Sequence, residues 1–152
     1  MHHSLLSKCV LVLLIVLFVC GAVVVVTFPY AISRYLLLFP DYYNSIPDYH
    51  PFVIAFCMLV GALGLWILFE LILMLRTLPA DPFVMRNVRS LQRMGYSAAG
   101  IAALFFGKCI MYFTPLSLIC GGALLLCGLF SLILSSVFRA AVEYKRENDL
   151  TI

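Results

Sequence analysis

Four long apolar runs, separated by polar interruptions, dominate the chain: Cys9 to Phe28, Phe52 to Leu75, Ser97 to Thr114 and Leu116 to Phe138. An α-helix rises about 1.5 Å per residue, so roughly 20 residues cross a hydrocarbon core about 30 Å thick. Each run is close to that length, and the third, the shortest, reaches it more nearly by starting at Tyr96. The pattern predicts an all-α fold: one integral membrane bundle of four transmembrane helices occupying residues 1–152. The polar segments become an outer loop over 29–51, a cytoplasmic connector over 76–95 and a cytoplasmic tail over 139–152.

The interruptions have their own character. Pro29, Pro40, Pro47 and Pro51 break regular helix in the outer loop. Between them, Ala31 to Phe39 has the length for a short interfacial helix, and the local tyrosines suit an aromatic belt at headgroup depth. Thr114 and Pro115 leave room only for a tight turn, so the third and fourth spans must be antiparallel neighbours. In the connector, Asp81 is placed to cap a helix whose first residue is Pro82. After it Val84, Val88, Leu91 and Gly95 recur at helical spacing, while Arg86, Arg89 and Arg93 share the opposite side. This describes an amphipathic helix leading into the third span, its apolar face on the bilayer or the bundle.

Composition strengthens the membrane reading. Of 152 residues, 64% are apolar and 11% charged, whereas soluble domains carry roughly a quarter charged residues. Charge placement then orients the chain. Lys8, Arg76, Arg86, Arg89, Arg93, Arg139, Lys145 and Arg146 fall on one side of a four-span topology, and Arg34 alone on the other. The positive-inside rule puts both termini in the cytoplasm, which in a bacterium makes this a multi-pass protein of the cytoplasmic membrane. The first run is too long for a signal-peptide core and is followed by no small-residue cleavage site before Pro29, so it reads as a retained helix.

Candidate chemistry is sparse. The six cysteines form no C-x-x-C pair and all sit in apolar runs, where packing is their ordinary role. No catalytic, cofactor or metal constellation emerges, and His2, His3 and His50 are scattered. The chain lacks the polar surface of a nucleic-acid reader. A four-helix membrane enzyme of the eicosanoid and glutathione type would match in size, but its "ER…N" signature is missing. Two ionisable residues do lie within spans, Glu70 in the second and Lys108 in the third. Intramembrane charges are functional hypotheses by default. Their depths differ by roughly 10 Å, which makes a direct salt bridge marginal. Lys108 can instead snorkel outward and Glu70 turn toward Arg76. Gly95, Ala99, Ala103 and Gly107 form a small-residue stripe suited to close helix packing, within the chain or in a homo-oligomer through the third helix.

The connector and the end of the chain also carry a resemblance. Asp81-Pro82-Phe83-Val84, Asn87-Val88, Leu91 and Gly95-Tyr96 resemble the "PF…N…L…G" signature of the YoaS-like family of small four-helix bacterial membrane proteins of unknown function. The ending, Glu147-Asn148-Asp149-Leu150-Thr151-Ile152, is similar to that family's "EENDLTI" tail. Arg86 departs from the pattern, in which an acidic residue often precedes the asparagine. Genes of that family often neighbour a small helix-turn-helix regulator, so the resemblance implies a membrane partner for such a protein. On this reading Asp81, Pro82, Phe83, Asn87, Leu91, Glu147, Asn148 and Asp149 form a cytoplasmic docking face on a non-enzymatic regulatory protein whose other partner is the lipid bilayer. The alternative is a small transporter or immunity-type membrane protein using Glu70 and Lys108.

Overall fold

A computed structural model describes residues 2–38, 49–77 and 83–149, and it folds them into four helices. They are α1 (His2–Leu38), α2 (Tyr49–Thr77), α3 (Met85–Met111) and α4 (Pro115–Asp149). Each is long and apolar enough to cross a membrane, and the protein is a multi-pass membrane protein. Among the described residues there is no strand. Asp81, Pro82 and Leu150 to Ile152 lie outside the described residues.

The helices stand in chain order, each antiparallel to the next, so that the bundle is built as a row. Side-chain contacts run in opposite directions along each neighbouring pair. Phe18 of α1 meets Phe69 of α2 at 6.4 Å between ring centres, and further along α1 Val25 packs over Gly61. Between α2 and α3, Phe52 meets Tyr112 and Phe56 meets Phe105 edge-on at 5.2 Å. The α3–α4 hairpin is the most extensive interface. Its turn is short: the Tyr112 N–H donates to the Lys108 carbonyl at 2.7 Å, and Pro115 opens α4 with its fixed φ and no N–H to satisfy.

Three boundaries depart from the sequence reading. Pro29 does not end the first helix, because α1 continues through it to Leu38. A proline costs one ladder hydrogen bond, here at the Val25 carbonyl four residues earlier, whereas unwinding the helix in lipid would strand many backbone groups. The hydroxyls on either side bond other carbonyls, Thr27 Oγ1 that of Val23 and Ser33 Oγ that of Pro29, at 2.7 and 2.8 Å. The connector helix does not begin at Pro82 but at Met85, behind an extended Val84 that offers no capping side chain. It is also no separate element, since the same helix runs unbroken into the third span. Finally, Asn148 and Asp149, residue types that compete with the helix backbone and are expected to break the fourth helix, lie within it, since it continues to Asp149.

The buried core concentrates in the first two-thirds of α3. Val88, Leu91, Met94, Ala98, Ile101 and Ala102 are all buried, whereas Leu14 is the one buried side chain described in α1. The α3–α4 crossing is set by two glycines. A Cβ on Gly95 would stand 2.8 Å from Leu132 and 3.0 Å from the Gly128 carbonyl, so only hydrogen fits. The small-residue stripe is thus only partly a packing surface: Gly95 is buried, but Ala103 and Gly107 are exposed.

Candidate functional site

The polar contacts between helices collect at two levels. The richer one is at the end where α2 finishes and α3 begins, which also holds Arg76, Arg86, Arg89, Arg93 and the end of α4. There Glu70, only 2% exposed, accepts two hydrogen bonds from α3. Ser90 Oγ donates to Glu70 Oε2 at 2.7 Å, and Arg93 Nη1 donates to Glu70 Oε1 at 3.0 Å in a salt bridge. A buried carboxylate needs both charge compensation and occupied lone pairs, and this arrangement supplies both.

Glu70 therefore pairs with neither Lys108 nor Arg76. The reason is hairpin register. Glu70 lies seven residues before Thr77 and Arg93 eight after Met85, so both sit roughly 10–12 Å in from the same end. That equal depth was present in the sequence. It was obscured by assigning Arg93 to the polar side of a connector helix, and Ser90 was missed altogether.

Lys108 belongs to the other level. Its Nζ donates to Ser117 Oγ at 3.2 Å and lies 5.4 Å from the centre of the Phe56 ring. Ser117 is buried and shares a 3.0 Å hydrogen bond with Thr114 Oγ1. The two intramembrane charges are thus held apart, each with partners of its own.

Closer to the basic end, Thr77 Oγ1 donates to Asn87 Oδ1 at 2.6 Å. Asn87 is fully buried, and its N–H donates to the Val84 carbonyl at 3.0 Å. Leu91 is buried too, and its carbonyl accepts from Ser131 Oγ of α4 at 2.8 Å. Neither residue reaches the surface that a docking role would require. The residues of the "PF…N…L…G" pattern are instead brought together by packing. Phe83 lies against Phe138 at 5.6 Å, Asn87 ties to α2, Leu91 accepts from α4, and Gly95 forms the close crossing.

Surface character appears where the last turns of α4 pass the start of α3. Phe83, Ala140, Ala141, Tyr144, Lys145 and Asn148 line a groove of about 580 Å³. Tyr144 is 74% exposed there, and Phe83 is also partly open. Of the expected docking residues, Phe83 and Asn148 line this groove, and Glu147 is exposed one residue away. Asp149 ends α4. Tyr144 and Lys145 escaped the sequence reading as groove residues, because only the meeting of Phe83 with α4 creates the groove.

Among curated proteins and among solved structures, none matches the chain. Family comparison is more informative, because residues 30–152 match the family described as Protein of unknown function (DUF2975). That match takes in α2, α3, α4, both polar levels and the groove, and the chain belongs to this family of unknown function.

Proposed function

We propose that the chain is a non-enzymatic membrane protein that docks a cytoplasmic protein at the basic end of its helices. The observation that carries this reading is the groove between Phe83 and the last turns of α4. Its lining joins two partly or fully open aromatic rings with an amide and an ammonium group, a composition suited to anchoring a protein partner. Helix length supports the same reading. The 35 residues of α4 span about 52 Å, roughly 20 Å more than a hydrocarbon core, so its polar end stands clear of the lipid. Asn87 and Leu91 serve beneath this surface by fixing the start of α3.

The positive-inside bias supports a topology in which this end and both termini face the cytoplasm, across a bacterial cytoplasmic membrane. The YoaS-like resemblance suggests the candidate partner, a small helix-turn-helix regulator of the kind often encoded beside genes of that family. The test is capture of that regulator by the full chain in detergent. Phe83→Ala and Tyr144→Ala are each expected to weaken capture about tenfold or more, as aromatic anchors do. A regulator that stays unbound, or variants that capture it as well as the parent chain, would sink this reading.

A further inference from the structure

Arg86, Arg89 and Arg93 are spaced by three and then four residues, which places them on one face of α3. All three are exposed, and Tyr96, three residues beyond Arg93, extends the same face at 67% exposure. The opposite face holds Asn87, Leu91, Met94 and Ala98 in the interior. Because this stretch is the end of a spanning helix and not a helix lying flat, its arginines form a ladder down one side of α3. The ladder covers roughly 10 Å. Its deepest member is held by Glu70 through Nη1, leaving the guanidinium's other N–H groups for a second acceptor.

We propose that this row binds the phosphate of an anionic phospholipid in the leaflet at the basic end of the helices. Charge is the first argument. Among the described residues the salt bridges are Glu70–Arg93 and Arg139–Glu143, so no described carboxylate answers Arg86 or Arg89. The start of α3 adds to the same sign, since its first turn contains no acidic residue. Chemistry is the second argument. A guanidinium offers a planar fork of donors that matches phosphate oxygens, and three of them along one face surround a headgroup better than scattered charges do. Position is the third. The face leads past Tyr96, whose amphipathic ring suits headgroup depth, to Ala103 and Gly107. No atom lies within 4 Å of where a Cβ on Gly107 would stand, which leaves that side of the helix open to an acyl chain. A second copy of the chain is a poorer occupant, because it would set like arginines against one another.

The test is native mass spectrometry of the full chain with phosphatidylglycerol and with phosphatidylcholine of the same acyl chains, alongside measurement of its oligomeric state. The chain should retain phosphatidylglycerol preferentially. The double variant Arg86→Gln/Arg89→Gln should weaken that retention roughly thirtyfold or more, the effect expected when two charge-assisted guanidinium–phosphate contacts are lost. Arg139→Gln/Arg146→Gln removes the same charge from α4 and should alter retention less than about twofold. Equal retention of the two lipids overturns the proposal. So does equal loss in both double variants, which means diffuse attraction. Displacement of the lipid by inorganic phosphate also overturns it, as a site for free anions, and so does a dimer broken by the arginine substitutions.

Discussion

The first half of α3 and the two residues that lead into it carry two rows that meet different surroundings. Phe83, Asn87, Leu91 and Gly95 recur every four residues and face protein: a ring on α4, a hydroxyl on α2, a serine on α4 and the backbone of Gly128. Arg86, Arg89, Arg93 and Tyr96 lie on the other face and are exposed, and of these only Arg93 reaches back to a neighbouring helix in a salt bridge. The row with the recognisable pattern thus holds the helices together, while the row that looks like ordinary topological charge is the one turned outward. A motif that stands out in a membrane protein need not mark a recognition surface. Here its spacing reflects the repeat of one helix against two others.

The contrast should be most visible at Gly95. Gly95→Leu forces a side chain against Leu132 and against the Gly128 carbonyl, and a backbone atom cannot rotate out of the way. Overpacking of a tight site ordinarily costs about 1–3 kcal/mol, and this position should fall at or above the top of that range. Loss of helix signal during titration with a denaturing detergent would measure it. A Gly95→Leu protein as stable as the parent would mean that the crossing is looser than the structure has it.

The salt bridge from the outward row back to α2 predicts an asymmetry. Arg93→Ala leaves the Glu70 carboxylate buried, with Ser90 as its remaining described hydrogen-bond donor. Breaking a buried pair from the side that strands the charge costs about 3–5 kcal/mol. Because the Arg93 side chain is 59% exposed, screening reduces this to about 2–3 kcal/mol. Glu70→Gln instead retains an acceptor for Ser90 and frees an arginine already open to the surroundings, so about 1 kcal/mol is expected. The same titration compares the two. Equal losses, or a greater loss for Glu70→Gln, would show that Arg93 does not serve to compensate Glu70.

Much of this architecture was legible in the sequence, and the misses share a cause. Hydropathy located four spans because a run of about 20 apolar residues has few other uses. The antiparallel α3–α4 hairpin followed from a connection too short for anything else. What failed was whatever depends on register between helices. Gly128 went unnoticed because nothing in its own neighbourhood distinguishes it, and only its meeting with Gly95 gives it a role. Glu70 was turned toward Arg76, its neighbour along the same helix, whereas equal depth from the shared end would have indicated Arg93. Pro29 misled because the rule that proline ends helices belongs to water, and a membrane helix has stronger reasons to remain helical.

The smallest effect should come from the far end of the outward face. Ala103 and Gly107 match Gly95 in size and continue its four-residue spacing, so the sequence alone treats them as one surface. In the structure a Cβ on Gly107 meets nothing within 4 Å, and Ala103 is exposed. A leucine at either position therefore adds apolar surface where lipid already lies, and exchanging one hydrocarbon neighbour for another has little net effect. Ala103→Leu and Gly107→Leu should each shift stability by less than about 0.5 kcal/mol and leave the oligomeric state unchanged in detergent. A marked loss in either, accompanied by a change in particle mass, would place a second copy of the chain on this face and make the stripe one continuous interface. Small residues at helical spacing pack only where another helix is present, and these two substitutions test whether one is present beyond Gly95.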